Sequence, residues 1–232
     1  RAYLSAGALI DAAVATRCSA VHPGWGFLSE SPEFARRCEA ARVTFVGPRS
    51  STMRSMADKS LARRTMSSLG VSPIPGSDGV LASAEQAREL ADSMGYPVLL
   101  KAVAGGGGRG MRRVASPAVL DQAWAEATAE ALGAFGDGDL YMERLIEGGR
   151  HIEFQVLGDG ERCVVLGARE CSVQRRHQKL IEETPPPMID PDELAVVSAT
   201  IQRAVVALQY QGAGTMEMLQ DAEGRLWFME MN

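Results

Sequence analysis

The chain has 232 residues, 46% apolar and 23% charged, an ordinary globular composition that excludes a disordered, coiled-coil or fibrous chain. Twenty-four Lys and Arg against 29 Asp and Glu give a net charge of −5, unsuited to a broad nucleic-acid surface. No run of apolar residues is long enough for a membrane-spanning helix, and Cys18, Cys38, Cys163 and Cys171 form no C-x-x-C pair, which argues against zinc and against a disulfide scaffold.

The early part of the chain alternates helical and strand patterns. Residues 4–16 read as a helix, 19–21 as a short strand and His22 to Glu30 as a glycine-rich loop. Pro32 opens a helix through Arg42, at a first-turn position where its missing N–H costs nothing. Val43 to Val46 is a second short strand, so this part resembles a parallel sheet cut from something longer. Asp58 to Leu69 is helical, and Gly70, Pro73, Pro75, Gly76 and Gly79 mark a boundary. A helix from Ser83 to Met94 follows, then a strand at Val98 to Lys101, the cluster Gly105 to Gly110, and a strand at Met111 to Val114. A helix beginning at Ser116-Pro117 carries Leu120, Trp124, Ala127 and Ala131 on one stripe, and Leu140 to Ile146 is another strand. From His151, Ile152, Phe154 and Val156 alternate with polar neighbours, Asp159-Gly160 signals a hairpin, and Val164 to Leu166 forms a strand. The block Arg169 to Lys179 is too polar for a core strand and lacks helical periodicity. It reads as an anion-handling segment or an exposed basic loop. Asp190 to Glu193 has capping-box spacing before a helix carrying Leu194, Val197, Ile201, Val205 and Leu208. A last hairpin joins 215–219 to 226–232. The start without Met and the stop at Met231-Asn232 suggest an internal piece of a longer protein.

Two features carry chemistry. Gly105, Gly107 and Gly110 fit G-x-G-x-x-G, but a strand rather than a helix follows, so a dinucleotide site is excluded. A glycine loop between strands, with Lys101 on the incoming one, suits either a flap over phosphates or a plain surface hairpin. In the final hairpin, a two-residue turn at Glu223-Gly224 sets Glu217 opposite Glu230, with Asn232 on the same face. Opposed carboxylates repel unless a cation joins them, and two carboxylates with an amide oxygen suit Mg²⁺. The alternative is a solvated face with tolerated repulsion. Leu219 and Phe228 share that face in this register and weigh against it, while Met216, Met218, Met229 and Met231 take the core side. Isolated histidines are more often structural than catalytic, and nothing in the sequence supplies Cys171 with a base.

Four segments together resemble biotin carboxylase, the ATP-grasp subunit or domain of biotin-dependent carboxylases: His22 to Glu30, Lys101 to Met111, Cys171 to Lys179 and Phe228 to Asn232. The resemblance implies an α/β (α+β) ATP-grasp fold with a truncated Rossmann-like N-terminal domain. Its divisions would be an N-terminal domain part (1–56), a helical linker (57–72), a lid subdomain with the glycine loop (73–146) and a truncated C-terminal subdomain (147–232). It implies carboxylation of carrier-bound biotin from ATP and bicarbonate through carboxyphosphate. Lys59 and Lys101 would contact phosphates beneath Gly107, Gly108 and Met111, while Glu143, Leu145, His151, Gln174 and His177 would hold adenine and ribose. Glu217, Glu230 and Asn232 would hold Mg²⁺ or Mn²⁺, Lys179 bicarbonate, and Lys179 and Glu153 would be catalytic. Implied partners are biotin carboxyl carrier protein and a carboxyltransferase, with a homodimer when complete, in the cytoplasm or the mitochondrial matrix. Other ATP-grasp ligases, such as a carbamoyl-phosphate synthetase half, or an inactive nucleotide-binding piece, are the alternatives. Ala104 stands where the family usually has glycine, and the family's downstream arginine and glutamate lie beyond Asn232.

Overall fold

The computed structural model describes residues 2–104, 110–176 and 178–232, without the side chain of Ala2. The polypeptide builds three sheets in succession. The first is a parallel pair, reached through helix α1 (Ala6–Ala15), strand β1 (Ala20–Val21), helix α2 (Pro32–Ala40) and strand β2 (Thr44–Phe45). Ser31 caps α2 by accepting from the Phe34 N–H, with Pro32 just inside, and buries Phe34, Ala35 and Cys38. Helix α3 (Ser50–Ala57) follows. Its Ser- and Thr-rich sequence carries no helix signal, and it forms because Met53 and Met56 are buried. Asp58 then caps helix α4 (Lys59–Ser68) through the Leu61 N–H.

The second sheet is antiparallel. After helix α5 (Ala84–Met94) come strands β3 (Val98–Ala102) and β4 (Met111–Val114), helix α6 (Leu120–Phe135) and strand β5 (Leu140–Arg144), in sheet order β4-β3-β5. The small residues Ala87 and Ala91 of α5, and Ala123, Ala127 and Ala131 of α6, pack with Val98, Leu100, Leu140 and Met142. Trp124 is half-buried at that cluster's rim. On the other strand face, Lys101 and Glu143 are left pointing away from this core.

The third sheet comprises β6 (Arg150–Asp159), β7 (Cys163–Arg175), β8 (Gln178–Glu183), β9 (Gln211–Gln220) and β10 (Leu226–Met231), in the order β10-β9-β6-β7-β8, with helix α7 (Pro191–Ala207) before β9. Ile152, Phe154, Val156, Met216, Met218 and Phe228 form a core with Ile201, Ala204 and Val205 of α7 and with Met66 of α4.

The Arg169 to Lys179 block is not an exposed loop, and its polarity does not keep it from being a strand: most of it continues β7, and the chain turns back into β8. Ala168, just before the block, and Cys171 within it are buried, while Arg169 faces Glu153 across the ladder, so its charge answers the charge of its neighbour strand. The final hairpin also departs from expectation. Asp221 and Arg225 close a three-residue turn, and β10 starts in a register that sets Trp227 opposite Leu219 and Phe228 opposite Met218. A β-bulge between Phe228 and Glu230 then restores Glu230 opposite Glu217. The expected pairing of the two carboxylates therefore holds, but Phe228 turns to the core, 1% exposed, and Met229 is outside that core cluster.

Candidate functional site

Period-two geometry sets the charged side chains on one face of the large sheet. Glu230 pairs with Glu217, Glu217 with Glu153, and Glu153 with Arg169, one row across four strands. Three carboxylates in adjacent register cannot stand without cations. Register shifts in β7 near Val173 and Gln174 interrupt its pairing with β8, and such shifts bend a strand. Lys179 of β8 donates to Glu153 and, at 2.8 Å, to Glu217 Oε1. Arg169 adds a bond of 2.7 Å from Nε to Glu153 Oε1, and Asn232 Nδ2 donates to Glu217 Oε1 at 3.1 Å.

Burial raises the Glu217 carboxyl, yet His151 and Lys179 beside it outweigh burial and hold it at about 2. Burial likewise opposes ionisation of Glu153, and Lys179 and Arg169 bring it below the usual range. For Lys179 desolvation is overcome by the same two carboxylates, which push its ammonium upward. Cys171, by contrast, is pushed up to about 12 by burial and is an inert thiol.

Two groups at this face lack partners. His151 Nε2 is 3.0 Å from Glu217 Oε2, but its N–H direction misses the oxygen, and it is a buried atom without a hydrogen bond among the described residues. Its Nδ1 is 2.8 Å from Gln174 Nε2. Glu230 takes neither ion pair nor hydrogen bond among the described residues. Glu30, from the early glycine-rich loop, faces the same charges: burial and then Glu230 and Glu217 raise its carboxyl.

The hard oxygens of Glu217 and Glu230 and the amide of Asn232 are a donor set that fits Mg²⁺, and the bare Glu230 carboxylate is the observation that asks for a cation. The structure also gathers His151, Glu153 and Glu217, with one ligand atom of each mutually within 4.8 Å, a grouping that includes two residues outside the expected metal set.

Strand β3 and helix α4 supply the remaining cations. Lys101 and Met111 pair across β3 and β4 at the strand ends flanking the glycine loop. Lys59, the first residue of α4, is half-buried; desolvation lowers its ammonium, against the pull of Glu230. Glu143 holds Lys101 and Arg63 on its two oxygens, so its side chain is engaged by cations. The Leu145 N–H donates to the Pro97 carbonyl at 3.1 Å and is likewise engaged. Gly107, Gly108 and His177 lie outside the described residues. Arg63, Arg169 and Glu30 were not singled out from the sequence. The signal for Arg63 was its place one helical turn after Lys59, on the same face of α4.

Residues 58–232 match the family model of the carbamoyl-phosphate synthase L chain ATP-binding domain, and residues 1–53 match that of the biotin carboxylase N-terminal domain. The chain belongs to this ATP-binding family, among its biotin carboxylases. Biotin carboxylase of Nostoc sp. is 46% identical over all of this chain and 52% of its own length. The biotin carboxylase domain of Hydrogenobacter thermophilus 2-oxoglutarate carboxylase, solved as a dimer with MgADP, ADP and bicarbonate, superposes with a TM-score of 0.94 at 44% identity, over 99% of this chain and 51% of that one. A Campylobacter jejuni biotin carboxylase–β,γ-ATP complex gives 0.94 at 48% identity, over 99% and 52%. The fold is therefore that of the biotin carboxylase ATP-grasp structures, as the sequence motifs led us to expect. The chain spans about half the length of the curated relatives it matches.

Proposed function

We propose that this chain forms the nucleotide- and cation-holding part of a biotin carboxylase. ATP and bicarbonate give carboxyphosphate and ADP; carboxyphosphate releases CO₂ and phosphate, and biotin N1 on a carrier protein takes the CO₂. The single observation that carries the reading is the bulge-restored pairing of Glu217 with a Glu230 that has no partner among the described residues and lies near Lys59. A bound Mg²⁺ supplies charge neutralisation for the polyphosphate, held by Glu217, Glu230 and Asn232. The chain's own cations do the rest. Lys59 and Lys101 align phosphate oxygens as point charges. His151 Nε2, already desolvated, donates to the nucleotide's sugar, and Gln174 fixes its ring through Nδ1. Lys179, released from one of its two carboxylates, holds bicarbonate, while Glu153 retains Arg169 and stays charged.

Supporting the wider reading are the family match, the superposed nucleotide and bicarbonate complexes and the dimeric relative. On it, residues 1–56 belong to the N-terminal domain, 57–72 to the linker, 73–146 to the lid and 147–232 to the C-terminal subdomain, and the partners are a biotinylated carrier and a carboxyltransferase. Calorimetric titration with ATP, with and without Mg²⁺, tests the site. Affinity that rises with Mg²⁺ in the native chain and loses that dependence in Glu217→Gln is the expected result. Equal metal dependence in both proteins refutes the cation assignment.

A further inference from the structure

Resting on the nucleotide reading, a second charge cluster explains how Lys101 can leave its present partner. Glu143 is 3% exposed and carries two cations, Arg63 Nη1 on Oε1 and Lys101 Nζ on Oε2. The two cations are differently held. Arg63 is itself 8% exposed, and its Nη2 donates to the Ile74 carbonyl at 2.6 Å. The backbone is shaped around it: a Cβ on Gly76 would stand 2.2 Å from the Met142 carbonyl oxygen and 3.1 Å from Arg63 Nη2. Lys101 has Glu143 as its ion-pair partner among the described residues, and otherwise lies 5.8 Å from the Tyr141 ring centre. Arg63 is hydrogen-bonded to two segments, whereas Lys101 is tethered at one point among the described residues.

A polyphosphate competes with Glu143 for the Lys101 ammonium. Without Arg63, that exchange would leave a buried carboxylate with no ion-pair partner among the described residues, a state disfavoured in a low-dielectric interior. Arg63 remains on Oε1 whichever partner Lys101 takes. We propose that Arg63 is a positioning residue: it keeps Glu143 charged and in place, and so lets Lys101 pass from Glu143 to the phosphates of the nucleotide. The residue acts through Glu143 and touches no substrate.

The test is a double-mutant cycle read by MgATP titration. In Arg63→Met, Lys101 becomes the one ion-pair partner of Glu143 among the described residues, and affinity should fall about ten- to a hundredfold, the range of a charged hydrogen bond. In Arg63→Met/Glu143→Gln there is no carboxylate to retain Lys101, and affinity should recover at least about tenfold over Arg63→Met. A merely structural Arg63 would leave the double variant as weak as the single one, and that result overturns the proposal. So does an Arg63→Met chain that binds as tightly as the native. If Arg63→Met does not fold, the double variant decides alone: with both partners replaced its fold is less strained, and binding more than about tenfold weaker than native refutes the exchange. A native chain that binds no MgATP refutes the nucleotide reading instead, so the two failures are distinguishable.

Discussion

Replacing Lys179 by Met removes the one ammonium that bridges Glu153 and Glu217, which face each other across β6 and β9. Opposed carboxylates about 5 Å apart repel by roughly 3 kcal/mol at an effective dielectric near 20. Glu153 keeps Arg169 and Glu217 keeps His151 nearby, which recovers part of that sum. The Lys179 side chain is 25% exposed, so solvent already screens the contact it loses. A net destabilisation of about 2–3 kcal/mol at pH 7 is expected. Its pH dependence is the sharper signature. In the native chain Glu217 titrates at about 2, so its stabilisation is present above the unfolded value of 4.5 and is lost as pH falls toward 2. In the variant the carboxylates titrate above their unfolded values, so protonation relieves the repulsion and the benefit disappears as pH rises. The deficit should therefore shrink from pH 7 to 4.5 as the variant's repulsion is relieved, and the two stability curves should meet only toward pH 2, where the native chain loses its own stabilisation. Urea denaturation of both chains at pH 7 and 4.5 measures this. A deficit below about 0.5 kcal/mol at pH 7, or the same deficit at both pH values, would refute the bridging role.

Two further outcomes follow from the final hairpin. Phe228→Ala should cost about 3–5 kcal/mol and Met229→Ala less than about 1.5, because the bulge sends Phe228 into the core; equal losses in urea titration would contradict that register. Gly214→Ala would place a Cβ 2.2 Å from the Tyr210 hydroxyl and 2.8 Å from the Asn232 carbonyl oxygen, so a loss of about 2 kcal/mol is expected by thermal melting, and an unchanged Tm would show that β10 yields freely.

Much of the architecture was legible because local signals agreed. Pro32 opens α2 and Asp190 caps α7 as their positions in the sequence indicate, and the alternation at Ile152, Phe154 and Val156 marks a strand that buries one face. That the polar block is a strand was not legible, because its charges are answered by charge rather than by water: Arg169 and Lys179 are paired with Glu153 and Glu217, residues far away in sequence. Helix α3 was missed because its formation depends on burying two methionines, a tertiary effect with no local signature. At the site, the pairing of Glu217 with Glu230 was anticipated from a turn one residue too short, and the bulge compensated for the error. The ties of Glu143 to Arg63 and Lys101 were not legible, since they join residues 80 and 42 positions apart.

That one-residue bulge in β10 makes the odd–even phase of the strand a structural variable of its own. Upstream of it the odd residue Trp227 shares a side with Leu219; downstream the even residue Glu230 shares a side with Glu217. Inserting a second residue beside Met229 would shift the phase of everything beyond it, whereas deleting Met229 would remove the bulge and leave Glu230 opposite Glu217, and altering the loop at 222–224 by a matched pair of residues would keep the phase. An insertion scan through 221–231 should thus divide into tolerated even changes at the loop and disruptive single-residue insertions near 229, a pattern by which related chains can vary loop length while the acidic pair stays in step.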